Sequence, residues 1–163
     1  LGTWASTRGM SALVPNAPRR LHRFRLTLER RIDFAQHFLV SAALAVGGDT
    51  LLSDAIGVYK EVSDSNGGTG FSFTDLAADR AGTRFGELAV ASEQSASRLQ
   101  KRIANGLVEA DIIPLIGDLP EHLSEREFRR RYSEVGSASY LAVTELIESR
   151  LDTVPLLQPG PGY

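Results

Sequence analysis

Apolar residues recur at helical spacing along almost the whole chain, and this pattern limits the possible folds more than any other feature. The longest stretch that alternates as a strand would is "GFSF", residues 70–73, which is shorter than a typical strand. The chain has 163 residues, of which 42% are hydrophobic. This is enough apolar surface for one hydrophobic core, but the chain is too short to form two well-packed domains. The sequence therefore predicts an all-α fold, a single-domain bundle of five or six helices.

Breaks in the helical pattern divide the chain into segments. Residues 1–18 and 155–163 are rich in proline, glycine and small polar residues, and they predict mobile tails on either side of a helical domain at 19–154. Inside the domain, capping residues, glycines and prolines predict these helices: Leu26–Val46, Leu51–Asp64, Ser72 to about Ala91 with an extension toward Asn105, one after Ser124, and Ser137–Leu151. Between them, "VEADIIPLIGDLP" predicts a short helix or turn that packs Ile112, Ile113, Leu115 and Ile116 onto the core.

Two of the helix starts carry a capping-box signature. Ser72 is followed three residues later by Asp75, and Ser124 is followed three residues later by Glu127. In such a pair the hydroxyl and the carboxylate each accept a hydrogen bond from the backbone amide of the other residue. Helix caps alone would therefore explain Asp75.

Charge and cysteine content exclude several classes of protein. A net charge of −2 argues against nucleic-acid binding, and the absence of cysteine excludes disulfides, thiolate nucleophiles and cysteine-bound metals. One local cluster is basic and predicts either a solvated helix face or a peripheral contact with an anionic surface: Arg19, Arg20, Arg23, Arg25, Arg30 and Arg31. The most apolar stretch, "FAQHFLVSAALAVGG", is shorter than a bilayer span and predicts a buried core helix.

Polar residues line one side of each of the first three predicted helices. Asp33, His37 and Ser41 are spaced by four on the first helix, and Asp75 and Asp79 are spaced by four on the third. The second helix carries Asp54, Glu61 and Asp64 on one side. Because buried polar groups need partners, we expect these stripes to converge on one polar site. Beyond Asp79, the small residues Gly82, Thr83 and Gly86 would admit a helix backbone or a ligand closely.

Two chemistries would use such a site. In the first, His37 and Asp64, together with neighbouring carboxylates, bind a divalent metal ion that activates water. In the second, Glu61 and an aspartate act as paired carboxylates on a glycan. We predict Glu61 as the general base, with Asp79 as a metal or proton partner, and Lys60 or Arg80 stabilising negative charge. Ser72, Asp75 and Arg84 are the predicted ligand-binding residues.

A structural interpretation of the same residues stays open. Lys60, Arg80 and Arg84 would neutralise the acidic residues in an interhelical network, and His37 would be a satisfied core histidine. The protein would then be a helical interaction module without enzymatic activity. The glycine-rich "SNGGTGFS" lacks the lysine and strand context of a nucleotide-binding loop.

About 50 residues resemble a family of bacterial putative lipoproteins of the cell envelope. The shared pattern is His-Phe, then Gly-x-x-Lys-Glu-x-x-Asp, then Phe-Ser-x-x-Asp-Leu-x-x-Asp-x-x-Gly. It is matched here by His37, Phe38, Gly57, Lys60, Glu61, Asp64, Phe71, Ser72, Asp75, Leu76, Asp79 and Gly82. The resemblance implies an envelope or periplasmic location, and some members carry helices that look membrane-embedded. It implies no reaction, and this chain lacks the lipoprotein cysteine.

Overall fold

A computed structural model describes residues 26–47 and 70–158, and these residues form an all-α bundle, as predicted. The five α-helices are α1 (Ile32–Gly47), α2 (Phe73–Val90), α3 (Glu93–Ala104), α4 (Glu125–Tyr132) and α5 (Ala138–Leu151), with 3₁₀ turns at Glu109–Asp111 and Pro155–Leu157. Within these ranges β pairing is limited to isolated bridges. The predicted helix at 51–64 and the predicted tail at 1–18 lie outside the described residues.

Helices α1 and α2 pack in direct backbone contact. A Cβ atom added at Gly82 would lie 2.1 Å from the carbonyl oxygen of Phe38, and one at Gly86 would lie 2.4 Å from that of Ala42. Only glycine permits such an approach. The small residues of α2 therefore admit a helix backbone, as the sequence analysis allowed, and they bring the polar edges of α1 and α2 together.

An aromatic cluster closes the core at the amino-terminal end of α2. Phe73 is fully buried, and its ring centroid lies 4.9 Å from those of Phe71 and Tyr132 and 5.5 Å from that of Tyr140. Phe71 also packs 4.6 Å from Phe128. Because Phe128 and Tyr132 belong to α4 and Tyr140 to α5, these rings anchor both helices to the start of α2.

Two predicted helix boundaries differ from those in the structure. The first helix begins at Ile32 instead of Leu26, because Glu29 and Arg30 adopt left-handed backbone conformations, with φ of 49° and 62°, that no α-helix contains. The third helix does not continue into the next segment. It ends at Val90, and the hydroxyl of Ser92 caps a separate helix, α3, by accepting a hydrogen bond from the amide of Ser95.

The ordered core extends past the predicted domain end at residue 154. Leu156 and Leu157 are buried in the second 3₁₀ turn, so this part of the predicted tail belongs to the core. In the preceding segment Ile113 and Ile116 are buried as predicted and Ile112 packs against the core, but Leu115 is 74% exposed. The Pro114 break turns Leu115 toward solvent while its neighbours face the core.

Candidate functional site

His37 of α1 lies between two carboxylates of α2. Its Nδ1 is 3.1 Å from Oδ1 of Asp79, and its Nε2 is 3.8 Å from Oδ2 of Asp75. The hydroxyl of Ser41 donates a hydrogen bond of 2.8 Å to the same Asp79 oxygen. The side chains of His37, Ser41, Asp75 and Asp79 are called the His37 centre below.

The spacing of the helices produces this arrangement. His37 and Ser41 are one turn apart on α1, at the edge of its buried face, while Asp75 and Asp79 are one turn apart on α2. Side chains at positions i and i+4 lie on the same side of a helix. The close crossing at Gly82 sets the two polar edges opposite one another, so the predicted convergence of the first and third stripes is observed.

Burial and charge act in opposite directions on His37. Burial disfavours the protonated ring, but the hydrogen bond with Asp79 and the charges of Asp79, Asp75 and Asp33 outweigh it. The pKa of His37 is therefore raised above its ordinary value. The surrounding carboxylates therefore favour the protonated form of the ring, against the effect of burial.

Asp75 is the least satisfied group of the centre. Burial, with a smaller contribution from the charge of Asp33, raises its pKa despite the opposing effect of His37. Its Oδ1 is buried and has no hydrogen-bond partner among the described residues. The predicted capping box is only half formed, since Ser72 accepts from the amide of Asp75 while the Asp75 carboxylate faces His37. A cap alone therefore does not explain this aspartate.

Arg31 connects the amino-terminal ends of α1 and α2. Its guanidinium binds both carboxylate oxygens of Asp33, at 3.1 and 2.5 Å, and Oε2 of Glu121, at 2.6 Å. The same Glu121 oxygen accepts from Thr74. Arg31 is thus part of an internal network, whereas Arg30 is exposed. The remaining arginines of the predicted basic surface lie outside the described residues.

Arg80 and Arg84 form their ion pairs with acidic residues outside the His37 centre. Arg80 and Arg84 each form an ion pair with Glu148 of α5, and Arg84 also pairs with Asp152 at 2.7 Å. They lie on the side of α2 that faces α5. The structure therefore does not bring these two predicted site residues to His37, and it assigns them a helix-to-helix contact.

Three predicted site residues lie outside the described ranges: Lys60, Glu61 and Asp64. Among the described residues no group of three or more histidine, aspartate or glutamate side chains is arranged to hold a metal ion. The metal prediction depends on Asp64, and it stays a prediction. Ser72 is occupied as the cap of α2 and by a hydrogen bond of 2.6 Å with Thr74, which leaves it no evident part in binding a ligand.

A separate surface groove of about 370 Å³ lies between the segment around Pro114 and the end of α5. It is lined by Ala110, Ile113, Pro114, Leu115, Arg150, Thr153 and Val154. None of these residues belongs to the His37 centre. Arg150 already binds both carboxylate oxygens of Asp118, so the groove offers no free charge to a ligand.

No protein-family model, curated protein or solved structure matches this chain. The resemblance to envelope lipoproteins accordingly stays a prediction. None of the helices in the described residues combines the length and the apolar character needed to cross a membrane.

Proposed function

We propose that the His37 centre is an acid–base and ligand-binding centre, and that the chain is a hydrolase-like or ligand-binding helical protein of the bacterial envelope. The observation that supports this most directly is the position of one imidazole between two carboxylates, one of which has a buried oxygen without a partner. Arg80 Nε, in the contact between α2 and α5, is the other buried side-chain atom without a partner among the described residues, so the support comes from the unpartnered oxygen of Asp75 together with the imidazole beside it.

The proposed roles follow from the two nitrogen atoms of the ring. When Nδ1 carries the proton, it donates to Asp79, and Ser41 holds that carboxylate in place. Asp79 then orients the ring, and Nε2 lies 3.8 Å from Oδ2 of Asp75, where a proton would pass between the ring and that carboxyl group. Asp75, whose pKa is raised mainly by burial, would act as the second group that exchanges a proton, because carboxyl groups in apolar sites serve as acids near neutral pH.

The ligand is expected to carry a positive charge or a hydrogen-bond donor. Asp33, Asp75 and Asp79 surround the centre, and Arg31 neutralises only the first of them directly. The remaining negative charge favours an amine, a metal ion or a polarised hydroxyl group. Glu61, the predicted general base, lies outside the described residues, and its role stays a prediction.

One observation favours a second function, the helical interaction module. Arg80 and Arg84 both pair with Glu148, and Arg31 pairs with Asp33 and Glu121. Many of the charged side chains near the centre therefore form ion pairs within the protein. Such ion pairs fix helix register without chemistry.

A ligand screen on matched variants distinguishes the two functions. Melting temperature would be followed with divalent ions, chelator and small amines, and hydrolysis of ester, glycoside and phosphoester probes would be measured. The wild type, Asp75→Asn, His37→Gln and the control Glu148→Gln would be compared. The proposal expects a response or an activity that survives in Glu148→Gln and disappears in the other two. If all four proteins behave alike in every assay, the interaction module is the correct function.

A further inference from the structure

The turn before α1 holds Arg31 in a strained and well-defined position. Leu28 and Arg31 exchange backbone hydrogen bonds of 2.9 and 2.8 Å across two residues with left-handed backbone, Glu29 and Arg30. Non-glycine residues in this conformation are uncommon and persist only where surrounding contacts impose them. One such contact is the hydrogen bond of 3.0 Å from the amide of Glu29 to Glu109.

From this turn the guanidinium of Arg31 contacts three groups. It lies 3.9 Å from the ring centroid of Phe34, a buried residue of α1, and it binds the Asp33 carboxylate through two nitrogens. Its third nitrogen binds Glu121, which precedes α4. The planar fork of arginine suits this combination of stacking and bidentate binding, whereas a lysine ammonium can satisfy only part of it.

Two paths lead from Arg31 to the His37 centre. Along α1, Asp33 is one turn before His37, and its charge acts on both His37 and Asp75. Across to α2, Glu121 accepts a hydrogen bond from Thr74, whose hydroxyl contacts that of Ser72, and the Ser72 hydroxyl accepts from the amide of Asp75. Thr74 is 1% exposed and its contact with Ser72 is buried, while the Glu121 side chain is 34% exposed.

We propose that Arg31 is a positioning residue that clasps the starts of α1 and α2 and thereby holds Asp33 and Asp75 at the His37 centre. The inference rests on the proposed function in that this centre is the site it serves. Arg31 does not contact His37, and it acts through the two aspartates. Without the hydrogen bonds of Arg31 to Asp33 and Glu121, both aspartate carboxylates would be able to move away from the His37 ring.

The test is the variant Arg31→Lys, because it keeps the positive charge and removes the planar guanidinium group that binds both Asp33 and Glu121. The ring signals of His37 would be followed by NMR as a function of pH, in the absence of any ligand. Since Asp33 and Asp75 both raise the pKa of His37, their withdrawal lowers it. We expect the titration midpoint of His37 to move downward in Arg31→Lys.

Arg150→Lys is the matched control, because it breaks a comparable bidentate pair, with Asp118, outside the His37 centre. It should leave the His37 titration unchanged even if the melting temperature falls. If Arg31→Lys stays folded and His37 titrates as in the wild type, Arg31 is not a positioning residue. This readout needs no ligand, so its failure is separate from failure of the ligand screen.

Discussion

His37 and Asp79 form a polar contact between the two longest of the described helices, with Nδ1 of the ring 3.1 Å from Oδ1 of the carboxylate. The contact lies beside the glycine crossing of α1 and α2, where the backbones are in van der Waals contact. The side chains of the pair are only partly accessible to solvent, 16% for His37 and 29% for Asp79, so most of their polar contacts come from groups on the helices. The close packing of α1 and α2 therefore determines which side chains meet at the His37 centre.

The stability of the protein should depend on pH through His37. Its pKa is raised in the folded state, relative to about 6.5 in an unfolded chain. The stabilisation is then fully present below that unfolded value and is lost as pH rises through the folded pKa. Denaturant unfolding from about pH 6 to about pH 9 should show falling stability in the wild type and a shallower fall in His37→Gln.

The exposed His122 provides the control for this measurement. His122→Gln removes a histidine whose ring is 57% exposed and lies outside the His37 centre, so it separates a specific effect of His37 from the general effect of removing an imidazole. An equal slope in wild type and His37→Gln would show that His37 gains no net stabilisation from its carboxylates.

The close approach of α1 and α2 should make Gly82 intolerant of a side chain. The new Cβ of Gly82→Ala would lie 2.1 Å from the carbonyl oxygen of Phe38, so the helices must move apart. Overpacking of this kind costs about 2 kcal/mol or more. Gly117→Ala is the matched control, because the nearest heavy atom to its Cβ is Oε2 of Glu29 at 4.0 Å. Similar melting temperatures for the two variants would contradict the close packing of α1 against α2 at Gly82.

The ion pairs between α2 and α5 should contribute modestly to stability. Glu148 binds both Arg80 and Arg84, so Glu148→Gln leaves two guanidinium groups without their shared carboxylate. Because all three side chains are partly exposed to water, with 34%, 40% and 26% of their surface accessible, the expected loss is about 1 kcal/mol. Glu145→Gln, an exposed position on the same helix, should cost less. Equal losses would mean that the pairs contribute nothing measurable.

Local patterns predicted most of the described helices and the four side chains of the His37 centre. Ser72 caps α2, and Ser124 forms its capping box with Glu127, as predicted. His37, Asp75 and Asp79 were found because four-residue spacing places side chains on one side of a helix. These features depend on neighbours within one turn, which a sequence displays directly.

The contacts that were missed join residues far apart in the chain. Nothing in the spacing of residues indicates that Arg31 binds Glu121, 90 positions away, or that Arg80 binds Glu148, 68 positions away. The direction in which α2 presents its arginines depends on where α5 packs, which periodicity alone does not determine. The late start of α1 was missed for another reason, because Glu29 and Arg30 are not typical residues of a left-handed turn.

The most direct test of the His37 centre is the free energy of unfolding of Asp75→Asn at neutral and acidic pH. The position of Asp75 in the first turn of α2 favours its charge by about 0.3–1 kcal/mol, but burial disfavours the ionised carboxylate more strongly, and an asparagine at this position carries no charge to desolvate. Since burial raises the pKa of Asp75 in the folded state, its ionisation destabilises the fold as pH rises through that pKa.

We expect Asp75→Asn to be more stable than the wild type at neutral pH. The difference should shrink in acid, where the wild-type carboxyl is protonated. That result would show a carboxylate maintained in the centre at the expense of stability, as expected of a functional group. A variant that is less stable than the wild type at neutral pH would contradict the central claim, and would make Asp75 an ordinary structural partner of His37.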